Sequence, residues 1–290
     1  MKSFADYIQV PWNEHFVSLA TGIRMAYCDC GPADGSPVIL IHGVTDGRIS
    51  WSQVAPMLAD LGYRVYVPEY RGNGKTDKPD PGPGGYTVET HRDDMLALMD
   101  ALGLQKAHIV GHSLGSLIAQ LMNIKAPERI LSTTLMESTV CCATSEVLQW
   151  AHDGDGTAYL GVRGYDAEQK MPESFLRTWT ENTNESDDFQ QATLEHVRQM
   201  PYPVWDWLIT GLNAFDNRDG ICKVSGRVLV LWGSKDEIFP AADQEALREG
   251  LTGCDATYET IEGGSHNVHW DSVRTRTEVV AILDKFMKSH

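Results

Sequence analysis

No apolar run in the 290-residue chain approaches the length of a membrane span, which excludes a transmembrane helix as the organising element. The start, Met1-Lys2-Ser3-Phe4-Ala5-Asp6, lacks the apolar core of a signal peptide, so the expected location is the cytoplasm. Positive charge is scarce as well: 24 Lys and Arg face 40 Asp and Glu, a net charge of -16. That balance argues against nucleic acid and against an anionic membrane surface as partners. Cysteines with metal-site spacing are missing. The six present, Cys28, Cys30, Cys141, Cys142, Cys222 and Cys254, include no C-x-x-C, and reduced, mostly buried thiols are expected in place of a zinc site or a disulfide framework. There are no internal repeats and no low-complexity tracts. What remains, 42% hydrophobic and 22% charged, suits one large globular domain or a domain with an insertion, and is compatible with an oligomer.

Two short alternating runs, His15 to Leu19 and Ile23 to Cys28, read as a β-hairpin. Val38-Ile39-Leu40-Ile41 is wholly apolar, as expected of a strand covered on both faces. A helix from Trp51 to Leu61, a strand from Tyr63 to Val67, a glycine-rich turn over Arg71 to Asp77 and a helix from Val88 to Leu102 follow. Lys78 to Gly85 carries three prolines and three glycines, an irregular loop. Strands are expected at His108 to Val110, Leu131 to Met136, Arg227 to Leu231 and Thr257 to Ile261, with helices over Ala241 to Glu249 and Val273 to Met287. Strand and helix alternate, so the reading is a mostly parallel, doubly wound α/β sheet with an antiparallel hairpin at its start. Ligands in such sheets bind beyond the carboxyl ends of the strands.

From about Glu137 to Lys223 the alternation stops and helical segments appear alone, around Val147 to His152, Glu173 to Thr180, Phe189 to Met200 and Val204 to Ala214. This is too long for a loop, and it reads as an all-helical cap (137–223) inserted into a core made of 1–136 and 224–290. It holds four of the eight tryptophans, Trp150, Trp179, Trp205 and Trp207, with Tyr159, Tyr165, Phe175 and Tyr202. These aromatics are candidates for a substrate pocket and equally for the core of the cap.

The chemistry centres on Gly111-His112-Ser113-Leu114-Gly115, a G-x-S-x-G between an apolar strand and a helix. A tight strand-to-helix turn leaves no room for side chains two positions either side of the serine. It also puts the unsatisfied N–H groups of a helix N-terminus beneath the hydroxyl, where negative charge would develop. A serine hydroxyl is a weak nucleophile that needs a base and an orienting acid. Asp236 and His266 each lie just past a strand, in the chain order serine, acid, histidine.

These pieces, with His42-Gly43, Arg71-Gly72-Asn73-Gly74, Gly233-Ser234-Lys235-Asp236 and Gly264-Ser265-His266, make the chain resemble the α/β-hydrolase fold superfamily over nearly its whole length. The resemblance implies Ser113 as nucleophile, His266 as general base and then acid, and Asp236 as orienting carboxylate. Glu137 stays open as an alternative acid, since some members recruit theirs after that strand. The oxyanion hole is implied at the backbone N–H groups of Leu114 and Val44, with Thr45 as another donor because Val44-Thr45-Asp46 stands where many relatives carry a proline. Ser116 occupies a position where glycine is common. Relatives that open epoxides use an aspartate at the elbow, so Ser113 favours an acyl-serine route.

The other polar residues have plainer readings. His42 shapes the oxyanion loop and His112 packs or lines the pocket, both being pocket candidates. Asp93 and Asp94 form the solvated side of a helix, no acidic partner at ligand spacing accompanies the pair His266 and His269, and His290 is a terminal residue expected to be disordered, so neither metal nor cofactor is expected. The expected activity is hydrolysis of a small, fairly hydrophobic carboxylic ester or lactone, with water as co-substrate. The alternatives are a carbon–carbon bond hydrolase on diketones with the same triad, and a ligand receptor that keeps the fold without turnover.

Overall fold

A computed structural model describes residues 13–80, 83–154, 161–162, 170–181 and 187–289. Eight strands, β1 (Asn13–Ser18), β2 (Arg24–Cys30), β3 (Pro37–Ile41), β4 (Arg64–Glu69), β5 (Ala107–His112), β6 (Ile130–Met136), β7 (Gly226–Gly233) and β8 (Cys254–Ile261), form one sheet in the order β1-β2-β4-β3-β5-β6-β7-β8. β1 and β2 pair antiparallel, β2 meets β4 antiparallel, and all later pairs are parallel. The register sets Ile41 beside Gly111, His112 beside Met136 and Gly233 beside Ile261. The carboxyl ends of the central strands therefore share one edge.

Alternation within a strand divides the core. In β3, Ile39 and Ile41 join an apolar cluster with Leu98 and Leu117, while Val38 and Leu40 join another with Leu58 and Leu283. These four residues of β3 are fully buried. Successive side chains point to opposite faces, so a strand covered on both faces must be apolar throughout. The covering helices are α1 (Ala55–Asp60), α2 (Val88–Ala101), α3 (Leu114–Lys125), α8 (Ala241–Gly250) and α9 (Val273–Lys288). Thr87 caps α2 by accepting the Thr90 N–H, and Ser272 and Thr275 form a capping box at α9. Between β6 and β7 the described regular elements are helical: α4 (Glu146–Asp153), α5 (Glu173–Thr180), α6 (Asp187–Arg198) and α7 (Tyr202–Asn213), with short 3-10 turns. Tyr159, Tyr165 and His290 lie outside the described residues. Among the described residues no helix is long and apolar enough to cross a membrane.

Three sequence readings need correction. The helix expected from Trp51 starts later: Arg48–Trp51 is a 3-10 turn, and α1 opens at Ala55 with Pro56 in its first turn. A proline has no N–H to donate inside a helix and suits its first turn. β8 begins at Cys254 rather than Thr257: on the edge of the sheet Cys254, Asp255 and Ala256 are half-buried or exposed, so no apolar run marks its start. Asp94 is not solvated. It is fully buried, and the Arg71 guanidinium reaches it through Nε at 2.6 Å and Nη2 at 2.8 Å. The glycine-rich turn carries Arg71 back over α2, and a buried carboxylate requires such a partner. Asp93, exposed, pairs with neighbouring Arg92.

Three buried imidazoles tie stability to pH. Burial lowers His42 to about 4, His91 to about 3 and His108 to about 4. An unfolded histidine titrates near 6.5, so between about pH 6.5 and 4 the unfolded chain takes up protons that the native state refuses, and stability falls as pH drops. The loss is about 2 kcal/mol per such histidine at pH 5. Thermal melts should give a lower Tm at pH 5 than at pH 7, with the gap narrowed by His91→Leu. Equal midpoints, or an unchanged gap in the variant, would contradict this.

Candidate active site

Ser113 stands between the last residue of β5 and the first of α3, with φ +51° and ψ -122°. A left-handed φ is rare for a residue with a Cβ and costs on the order of 1–3 kcal/mol, so the surroundings must impose it. They do so by close approach. A Cβ on Gly111 would lie 2.1 Å from the Gly115 carbonyl oxygen, and one on Gly115 would lie 2.2 Å from that of Ile41. The Ser113 N–H donates to the Met136 carbonyl at 3.0 Å. Ser116 adds a tie, its hydroxyl 2.6 Å from the Ser113 carbonyl and 2.7 Å from the Ser138 hydroxyl.

His266 follows β8 and Asp236 follows β7. The Nδ1–H of His266 lies 2.9 Å from each oxygen of Asp236, which leaves Nε2 as its free ring nitrogen. Asp236 also accepts the backbone N–H groups of Ile238 at 2.8 Å and Phe239 at 3.0 Å. Burial works against its charge, but the charge and hydrogen bond of His266 and the Phe239 N–H outweigh it, so its carboxyl lies below the usual range. His112 steadies the same loop by donating from Nε2 to the His266 carbonyl at 2.7 Å.

Glu137 is the other acid. It too has a left-handed φ, +48°, its N–H donates to the Leu231 carbonyl at 3.0 Å, and its Oε1 accepts the Gly233 N–H at 2.8 Å. Donor atoms of Glu137, Asp236 and His266 lie within 4.8 Å of one another. Complete burial, then the adjacent charge and hydrogen bond of Asp236, push the Glu137 carboxyl well above the usual range. Two like charges so close cannot both persist without water. Asp236 carries the charge and the contact to His266, and Glu137 stays neutral. These three side chains are the described group close enough to hold a metal. Their hydrogen bonds explain the cluster without one, since Nδ1 and both Asp236 oxygens are already engaged.

Ser113 and His266 line one cavity of about 320 Å³ with Val44, Thr45, His112, Trp150 and Trp179. No acceptor among the described residues takes the N–H of Leu114 or Val44. Thr45 Oγ1 accepts the Trp179 indole N–H at 2.6 Å, tying α5 to the loop after β3. Three pocket candidates fall elsewhere. His42 is buried beneath that loop, donating to the Gly43 carbonyl at 2.7 Å and stacked on Tyr70 at 4.1 Å. Trp205 is fully buried against Phe175 and Trp179, and Trp207 packs on Tyr86. Both belong to the core joining α7 to its neighbours. Sequence reasoning missed Asp46, Phe189 and Trp270, which line the cavity. Asp46 was traceable, since it shares the six-residue loop 42–47 with Val44. Phe189 and Trp270 carried no local signal.

A family model described as alpha/beta hydrolase fold matches residues 36–273. The chain is 33% identical over 117 residues to an epoxide hydrolase 2 of Siraitia grosvenorii, covering 40% of this chain and 36% of that protein. The chain thus spans about a third of the length of the epoxide hydrolases it matches. Likeness to a 3-oxoadipate enol-lactonase 1 of Acinetobacter baylyi is lower, 23%, but covers 89% of this chain and 91% of that one. A solved hydrolase from Pseudomonas aeruginosa superposes with a TM-score of 0.79 at 20% identity, covering 96% and 99% of the two chains.

The neutral state of Glu137 has a stability signature. A carboxyl raised by folding stabilises below its unfolded value and loses that contribution as pH rises toward its folded value. Glutamine keeps the shape and the acceptor for Gly233 but cannot ionise. The Tm of Glu137→Gln relative to wild type should therefore increase from pH 5 to pH 8. A difference that stays constant or shrinks would show Glu137 ionised in the fold.

Proposed function

The chain belongs to the α/β-hydrolase fold family, and from that premise we propose that it is a serine hydrolase of carboxylic esters or lactones. Its substrate is small and fairly hydrophobic, and the reaction runs through an acyl-serine. The observation that carries this reading is the 2.9 Å contact of His266 Nδ1 with Asp236, which frees Nε2 beside a cavity that Ser113 also lines. Ser113 Oγ attacks the carbonyl carbon and His266 takes its proton. Asp236 holds the ring and stabilises the imidazolium, and the N–H groups of Leu114 and Val44 hold the oxyanion. The proton passes from His266 to the leaving oxygen. Water, deprotonated by the same imidazole, then releases the acid and restores the serine.

In this reading 137–223 form a lid over a core of 1–136 and 224–290, and Trp150 and Trp179 supply its substrate-facing surface. The epoxide hydrolases among the relatives do not set the reaction type, because Ser113 offers no carboxylate to attack an epoxide carbon. The full-length likeness to an enol-lactonase supports ester-type chemistry and extends the substrate class to lactones.

Turnover of p-nitrophenyl esters, lactones and diketones by wild type and variants tests the proposal. Ester or lactone kcat/KM should fall by about 10⁴-fold or more in Ser113→Ala, and by a comparable order in Asp236→Asn. Glu137→Gln should remain active. Turnover of diketones alone, or ester turnover that survives Ser113→Ala, would overturn the reading. An active Asp236→Asn beside an inactive Glu137→Gln would reverse the roles of the acids.

A further inference from the structure

The cavity wall carries negative charge and, among the described residues, neither lysine nor arginine. Asp46 lines it from the loop after β3, its side chain 16% exposed and its Oδ2 3.4 Å from His112 Nδ1. Exposed Glu237 lines it from the loop after β7. Much of the remaining surface is aromatic, from Trp150, Trp179, Phe189 and Trp270.

We propose that this site selects uncharged, aryl-bearing esters or lactones and rejects carboxylate-bearing ones, with Asp46 as the specificity-determining residue. The proposal rests on the hydrolase reading above and names the substrate class of the same site. A carboxylate entering the cavity would shed its hydration, find neither lysine nor arginine among the described lining residues, and meet the charge of Asp46 at short range. A neutral aryl group gives up little on leaving water and gains the aromatic walls. Asp46 keeps its charge there. Burial opposes ionisation, but the His112 imidazole, 3.4 Å away, holds its carboxyl below the usual range. The overall charge of -16 adds a longer-range repulsion that salt screens.

The test uses two esters of equal acyl length, p-nitrophenyl hexanoate and mono-p-nitrophenyl adipate, which differ in a terminal methyl against a carboxylate. Their binding to Ser113→Ala protein is read by quenching of tryptophan fluorescence, so the result does not depend on turnover. The hexanoate ester should bind about tenfold or more tightly than the adipate ester. Adding Asp46→Asn should narrow that ratio to about threefold or less by strengthening adipate binding. Glu237→Gln, an exposed change, should narrow it less. Equal or tighter binding of the adipate ester, or a ratio that Asp46→Asn does not move, would overturn the proposal. Hydrolysis of the two esters by the Ser113 enzyme is measured in parallel. Selective binding without hydrolysis would end the hydrolase reading while the charge selection stands, and hydrolysis without selectivity would do the reverse.

Discussion

The site depends first on the strained backbone of Ser113. Ser113 holds a backbone conformation that side chains resist, and it does so because two glycines let the start of α3 pass within contact distance of β3 and β5. The sheet meets that strain locally, through the bond from Ser113 N–H to Met136 and the hydroxyl tie from Ser116. The result is a serine backbone fixed at a helix N-terminus, on the wall of the cavity that His266 also lines. Because its position is imposed by packing, little reorganisation is left for the moment of reaction.

The two acids illustrate how environment divides roles between similar groups. Asp236 receives two backbone N–H groups and the imidazole, so its charge is paid for in hydrogen bonds. Glu137, wholly enclosed and beside an existing negative charge, has one backbone donor and remains neutral. In the proposed mechanism Asp236 orients the base and Glu137 fills the floor behind it, bracing β6 against β7 through its N–H to Leu231 and its carboxyl to Gly233. The same logic separates the histidines. Burial outweighs the nearby carboxylates of Asp46 and Glu69 at His42, and His91 faces the like charge of Arg71, so both stay neutral, whereas His266 contacts a carboxylate directly.

Much of this was legible in the sequence where physics is local. Apolar β3, the G-x-S-x-G turn and the four helices between β6 and β7 fell close to their expected places, with Glu173–Thr180 matched end to end. The pairing of His266 with Asp236 was legible too, because each residue follows a strand at the same sheet edge. Readings failed where long-range contacts decide. Asp94 looked solvated because nothing near it in sequence announces Arg71. Trp205 and Trp207 face other aromatics rather than the cavity, and helical spacing alone could not tell one inward direction from another. Trp270 and Phe189 reach the cavity wall through the packing of α6 and of the loop after β8, which no local pattern encodes.

The central claim is that one serine is made reactive by one imidazole. A fluorophosphonate probe measures this directly, since it forms a stable adduct only with an activated serine hydroxyl. After labelling and digestion, mass spectrometry should place the adduct on Ser113, and His266→Ala should abolish it while leaving the protein folded. Labelling absent from the wild type, located on another serine, or undiminished by loss of the imidazole would contradict the account.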